Sequence, residues 1–209
     1  MTEPKKRSKG LTADELMALQ EEKLRTDPKY SAEVEAFEAE LERRARNLSI
    51  AEQPIVRDLR SVGIEVSSVW DLVNTSDPYP EALPVLLEHL KKGGYPDRVM
   101  ESLGSALAVK PAAYAWETFR ELYLSAEGRG EEEGLAVALA ASATREHLEE
   151  LIALLQEDSR SDTRIHFLRP IKRVGGQRGR QMLESLVDDP MFGREARALL
   201  KASNRARKT

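Results

Sequence analysis

The sequence contains no cysteine. That removes disulfides, thiolate zinc sites, iron–sulfur clusters and a cysteine nucleophile together, and it fits a reducing compartment. Aromatic residues are scarce, at 5% of the chain against 41% apolar residues overall. A core built under that constraint is filled by Leu, Ala and Val, which suits helix-on-helix packing better than a sheet sandwich rich in β-branched and aromatic side chains. Long apolar runs are missing too. The longest, GLAVALAASA from Gly134 to Ala143, is about half of the ~20 residues that a membrane span requires. The basic opening MTEPKKRSKG is followed by the charged LTADELMALQEEK rather than by the apolar stretch of a signal peptide. The expectation is an all-α, cytoplasmic protein with no membrane partner.

Charge is unevenly distributed along the 209 residues. From Arg160 to Thr209 there are 13 Lys or Arg against 5 Asp or Glu, a charge of +8, whereas Met1 to Ser159 carries −12. A molecule polarised in this way offers a basic end to an anionic partner.

Residues 1–10 are charged and poor in apolar side chains, so they are expected to form a flexible basic tail. A helical segment and cap follows over 11–74. Thr12 with Glu15 has the spacing of a capping box, and that helix should end before TDPK. A second helix runs from about Ser31, with Val34, Phe37, Leu41, Ala45 and Leu48 on one stripe. Ser49 with Glu52 repeats the capping spacing and predicts a fresh helix, which Gly63 should end in a left-handed conformation. Heptad spacing from Val34 to Val62 allows a coiled coil instead, but Arg44, Asp58 and Pro54 interrupt its seam. A short helix, SVWDLVN, leads into TSDPYP.

Beyond Tyr79 the pattern repeats on a larger scale. Leu90, Leu122, Leu155 and Leu186 close four similar apolar segments at separations of 32, 33 and 31 residues, and each segment is followed by a turn and a second apolar helix. The carrying residues are ALPVLLEHL with Pro84 in its first turn, the turn GGYPDR and the second helix VMESLGSAL; LESLVDDP with REARALL echoes them near the end. Over 79–203 the chain resembles the HEAT-repeat family of α-solenoids. The family's Arg early in the second helix has counterparts in Arg164 and Arg194, while Met100 stands there in the first pair and the second pair lacks it. Pro170 falls inside a second helix and is expected to split it after Arg169. The resemblance implies a right-handed solenoid of about four helix pairs over 79–203, closed at its N-terminus by the helices of 11–74 and followed by a basic tail over 204–209.

No catalytic, cofactor-binding or metal-binding residues emerge. His89, His147 and His166 lack metal-ligand spacing and read as exposed helix side chains. Glu131, Glu132 and Glu133 sit where negative charge favours a helix N-terminus. Gly175, Gly176 and Gly179 have neither a preceding strand nor a Walker pattern, so they read as a turn between pairs. HEAT-like DNA glycosylases pair a tryptophan with an Asp one helical turn away. Here the residue four beyond Trp116 is Arg120, and Asp71 merely adjoins Trp70, so Trp116 reads as core and Trp70 as a plug over the first pair.

The strongest binding signal is RIHFLRPIKRVGGQRGR. On an unbroken helix His166, Arg169 and Arg173 share a stripe opposite Ile165 and Leu168; with Lys172, and with Arg178 and Arg180 in the following turn, they form the expected partner-binding face. The expected function is a non-catalytic protein-binding scaffold or adaptor working through the concave side of the solenoid, its partner another protein with an acidic surface. A nucleic-acid binder using the basic C-terminal pairs is the alternative, and a HEAT-like enzyme resembling a DNA glycosylase or a cofactor-attaching lyase is the third. No small-molecule substrate and no cofactor are implied.

Overall fold

The computed structural model of the chain describes residues 11–160 and 162–206; the expected basic tail at 1–10 lies outside them, as does 207–209. Among the described residues the regular structure is entirely helical, with eleven α-helices and three short 3₁₀ segments. The chain divides into two compact units, residues 1–47 and 48–209.

The first unit holds α1 (Ala13–Thr26) and the first part of α2 (Pro28–Ser61). Thr12 and Glu15 form the capping box: the Thr12 amide donates to Glu15 Oε2 at 2.7 Å and the Glu15 amide donates to Thr12 Oγ1 at 3.3 Å. Asp27 then opens α2 by accepting from the amides of Lys29 and Tyr30, both at 3.1 Å. None of the described residues 11–47 is buried. The stripe read from the sequence is present, yet Phe37 and Leu41 stay exposed.

The break expected at Ser49 does not occur, because α2 continues through Ser49 and Pro54 as one helix of 34 residues. Pro54 removes a single backbone bond, whereas a fresh start would leave several amides and carbonyls to be satisfied and would need a new nucleus. Gln53 Nε2 bonds the Ser49 carbonyl at 3.2 Å instead. The helix ends as expected at Gly63, whose φ of 84° is left-handed. Gly63 and Ile64 donate to the carbonyls of Arg60 and Leu59 at 3.0 and 3.1 Å, a Schellman arrangement.

The second unit carries a continuous apolar core from Ile55 to Ala196. After α3 (Trp70–Val73) come eight helices, grouped here by the expected pairs: α4 (Ala82–Lys92) with α5 (Asp97–Ala106), α6 (Trp116–Ser125) with α7 (Arg129–Ser142), α8 (Leu148–Leu155) with α9 (Leu168–Val174), and α10 (Gly176–Ser185) with α11 (Gly193–Ala206). Each second helix packs on the first helix of its own pair, and α5, α7, α9 and α11 also pack on one another in that order. α5 and α7 approach backbone to backbone, and a Cβ on Gly104 would lie 2.4 Å from the carbonyl carbon of Gly134. This explains GLAVALAASA: α7 is covered on most sides, so its residues are small and apolar.

Two further expectations are corrected around Pro170. The split falls between the 3₁₀ segment Asp162–Phe167 and α9, not after Arg169, so Pro170 is the third residue of a new helix. There its missing amide costs little, since first-turn amides have no partner within the helix. Gly179 is not in a turn but inside α10, where a Cβ would lie 2.2 Å from the Ile171 carbonyl oxygen. Arg178 and Arg180 are therefore helical as well.

Candidate functional site

A groove of about 530 Å³ runs between α7, the segment 162–174 and α11. Its floor is the small face of α7, Val137, Ala140 and Ala141, which fall one turn apart. Its wall carries Ile165, His166, Arg169 and Arg173, with Glu195 of α11 opposite. The expected cationic face is thus brought together in part. Ile165 joins His166 in the groove instead of lying opposite it, because the change from 3₁₀ to α winding at Leu168 shifts the phase; only Leu168 turns into the core.

The basic side chains of the groove already have local partners. His166 Nε2 lies 2.5 Å from Glu133 Oε1, and Arg169 Nε donates to Glu195 Oε1 at 3.2 Å. Arg173 Nη2 donates to the carbonyls of Ala140 and Ala143 at 2.9 and 3.2 Å, satisfying the end of α7. Among the described residues no hydrogen bond is made by Arg169 Nη1 or Nη2 or by Arg173 Nε or Nη1. The remaining expected residues stand apart from the groove. Lys172 is half-buried on another side of α9. Arg178 pairs with Glu149 of the preceding pair at 3.2 Å, which holds its guanidinium above its ordinary pKa, and Arg180 pairs with Glu184 within α10 at 2.8 Å.

Beside the groove a second depression of about 440 Å³ is lined by Asp97, Glu101, Arg129, Gly130 and Glu133. Here the expected capping role of the three glutamates is met in part: the backbone amides of Glu127 and Gly128 favour the carboxylate of Glu131 in the first turn of α7, and a further cap comes from another helix. Asp97, from the preceding pair, caps α7: its carboxylate accepts from the amides of Gly130 and Glu131 at 2.8 and 2.9 Å. Glu132 instead turns inward to accept from Thr163 Oγ1 at 2.5 Å. Since that bond uses the only hydroxyl proton of Thr163, Tyr123 donates to the same oxygen at 3.1 Å, and burial pushes the Tyr123 phenol up to about 12. Burial, together with the nearby Asp97 charge, raises the Glu131 carboxyl.

None of the three histidines is a fully exposed side chain. His89 is buried between Tyr95 and Asp58, at 2.6 and 3.1 Å. His147 stacks on Trp116 with centroids 3.9 Å apart. Trp116 is core, as expected, and its indole N–H donates to Glu150 at 3.0 Å; Arg120 pairs with Glu117 and Glu150. Trp70 is half-buried, with the Arg98 guanidinium 4.3 Å from its ring. Among the described residues no group of three His, Asp or Glu is placed to hold a metal ion, and no helix is long and apolar enough to cross a membrane.

Sequence reasoning missed the polar links between successive pairs. Asp97 with Gly130, Trp116 with Glu150, Arg160 with Ala126, Thr163 with Glu132, His166 with Glu133, Arg173 with Ala140 and Arg178 with Glu149 all join residues 29 to 34 apart. The available signal was the apolar recurrence itself, since polar positions displaced by one period come to face each other. Comparison of the chain with known protein families, with curated proteins and with solved structures finds no match.

Proposed function

We propose that the protein is a HEAT-like helical-repeat adaptor that binds another protein, without catalysis, through the groove between α7, α9 and α11. The solenoid reading rests on the order in which the second helices pack and on the 29 to 34 residue spacing of the links between pairs. Such arrays bind through surfaces extended over several repeats rather than through one enclosed pocket.

The observation that carries the functional reading is the groove itself: a floor of small side chains that a partner backbone can approach, beside two guanidinium groups with unused N–H donors. An acidic protein segment fits this better than a nucleic acid. Glu195 and Glu133 alternate with the cations, so a uniform row of phosphates would meet carboxylates as well as arginines, whereas spaced carboxylates on a polypeptide need not. The pairing of Arg178 and Arg180 with Glu149 and Glu184 further reduces the basic surface open to a polyanion.

The test is affinity purification of the wild-type chain and of Arg169→Glu, each with and without nuclease. Arg169 is chosen because its side chain is 79% exposed, while Arg173 also holds the end of α7. A co-purifying protein that survives nuclease and disappears with Arg169→Glu is the expected result. An unchanged set of partners in the variant overturns the reading, and loss on nuclease treatment alone favours the nucleic-acid alternative.

A further inference from the structure

A third depression, a cleft of about 380 Å³, opens where the 74–81 loop meets the ends of α3 and α5. Its lining is largely apolar, with Leu72, Val73, Leu83 and Val109 at the bottom and Asp77 at the rim. Tyr79 also lines it, but the Tyr79 hydroxyl already donates to the Ala106 carbonyl at 2.9 Å, so the tyrosine presents an apolar ring and no spare donor. The volume lies at the low end of ligand-sized cavities, which run from roughly 300 to 1,000 Å³, and suits one large apolar side chain.

Ala108 lines this cleft and the arginine groove alike, so the two depressions adjoin at that residue. We propose that cleft and groove form one track that takes a single acidic segment of a partner protein, with an apolar side chain anchored beside Tyr79 and carboxylates reaching Arg169 and Arg173. The inference rests on the adaptor reading and adds to it the chemistry and order of the bound segment.

Charge selects this occupant. Arg169 and Arg173 stand four residues apart on α9, which places their side chains on one face roughly 5–6 Å apart at Cβ. Arg169 offers both terminal nitrogens, a fork that a carboxylate meets with two parallel bonds, and Arg173, whose Nη2 is taken, offers single donors at Nε and Nη1. The cleft supplies apolar burial, which such surface ion pairs do not. Either half alone therefore binds weakly, and joining them on one chain raises affinity by effective concentration.

Short random peptides displayed on phage and selected on the full chain test this. Enriched peptides are expected to combine a Leu, Phe or Trp with at least two Asp or Glu at a constant offset. In fluorescence anisotropy with a labelled enriched peptide, Arg169→Glu and, separately, Ser105→Phe, which fills the cleft, should each weaken binding about tenfold or more, with helicity by circular dichroism unchanged. Ser105→Leu provides a smaller plug should the phenylalanine variant misfold. If neither plug weakens binding of peptides that Arg169→Glu weakens, the single track is wrong and the groove reading stands. Indifference to Arg169→Glu, or a selection that enriches nothing, overturns both.

Discussion

Glu15 and Glu131 are the third residues of their helices, α1 and α7, and the two units treat them in opposite ways. In the first unit Glu15 lies in water and reaches back to Thr12, whose backbone and side-chain hydrogen bonds hold its carboxyl below the ordinary range. In the second unit burial, with the Asp97 charge, raises the Glu131 carboxyl and outweighs the favourable amides of Glu127 and Gly128, while Asp97 of the preceding helix accepts from the first amides of α7. The first unit keeps its helices by local devices: caps, and pairs such as Lys29 with Glu33, Glu40 with Arg43 and Arg44, and Glu42 with Arg46. The second unit has groups reaching across from one pair to the next. Helical conformation is thus available to both, whereas resistance to unfolding comes from burial.

The largest expected effect comes from separating two backbones in direct contact. Gly104→Leu drives a side chain into Gly134, and neither main chain can yield without moving a helix. A loss of at least about 3 kcal/mol is expected, read as a fall in Tm of roughly 10 °C or as failure to accumulate. A drop of only a degree or two would mean that α5 and α7 are not in backbone contact.

Next come two phenylalanines of opposite setting. Phe119→Ala, in the core of α6, should cost about 3–5 kcal/mol. Phe37→Ala, on the exposed stripe of α2, should stay within about 0.5 kcal/mol. Equal effects in chemical denaturation would show that the Phe37 stripe is covered in solution and would erase the contrast between the units.

A smaller effect is expected at Pro54, within the helix that runs through both units. Pro54→Ala restores an amide for the Ile50 carbonyl and should raise stability by roughly 1–3 kcal/mol. Destabilisation would mean that a bend at Pro54 is needed for the packing of Ile55 and Val56.

The smallest effect concerns Glu131 itself. Its pKa is raised in the fold, so its protonated form favours folding below the ordinary glutamate pKa, and that contribution is lost as pH rises through the raised value. At pH 7 the ionised group opposes folding. Glu131→Gln should therefore raise Tm slightly at pH 7, and the gain should vanish on acidification below the glutamate range. A gain that is the same at both pH values would assign it to packing instead of charge.

How much was legible in the sequence follows the same division. The Thr12 cap, the Gly63 stop, the all-helical class and the core position of Trp116 were readable because each is set by local chemistry or by periodicity. The continuity of α2 was not, since Ser49 and Glu52 carry a valid local signal that helix propagation overrides. The groove was half legible. His166, Arg169 and Arg173 share it as their spacing implied, but Glu133, Ala140 and Glu195, which take up part of their bonding capacity, lie 33, 33 and 26 residues from their partners. Nothing local connects such positions. The same reason hid the burial of His89, whose partner Asp58 is 31 residues earlier.

The Asp97 carboxylate has one further consequence, and it concerns time. Because α7 takes its N-terminal cap from α5, the amides of Gly130 and Glu131 are not sealed when their own helix forms; they are sealed when α5 is in place beside it. A helix start ordinarily frays, and its first amides exchange with solvent through small local openings. Here the acceptor of those two amides stands on the neighbouring helix, so their hydrogen exchange should be slower than at an uncapped helix start and should quicken both when Asp97→Ala removes the carboxylate and when the α5–α7 contact opens.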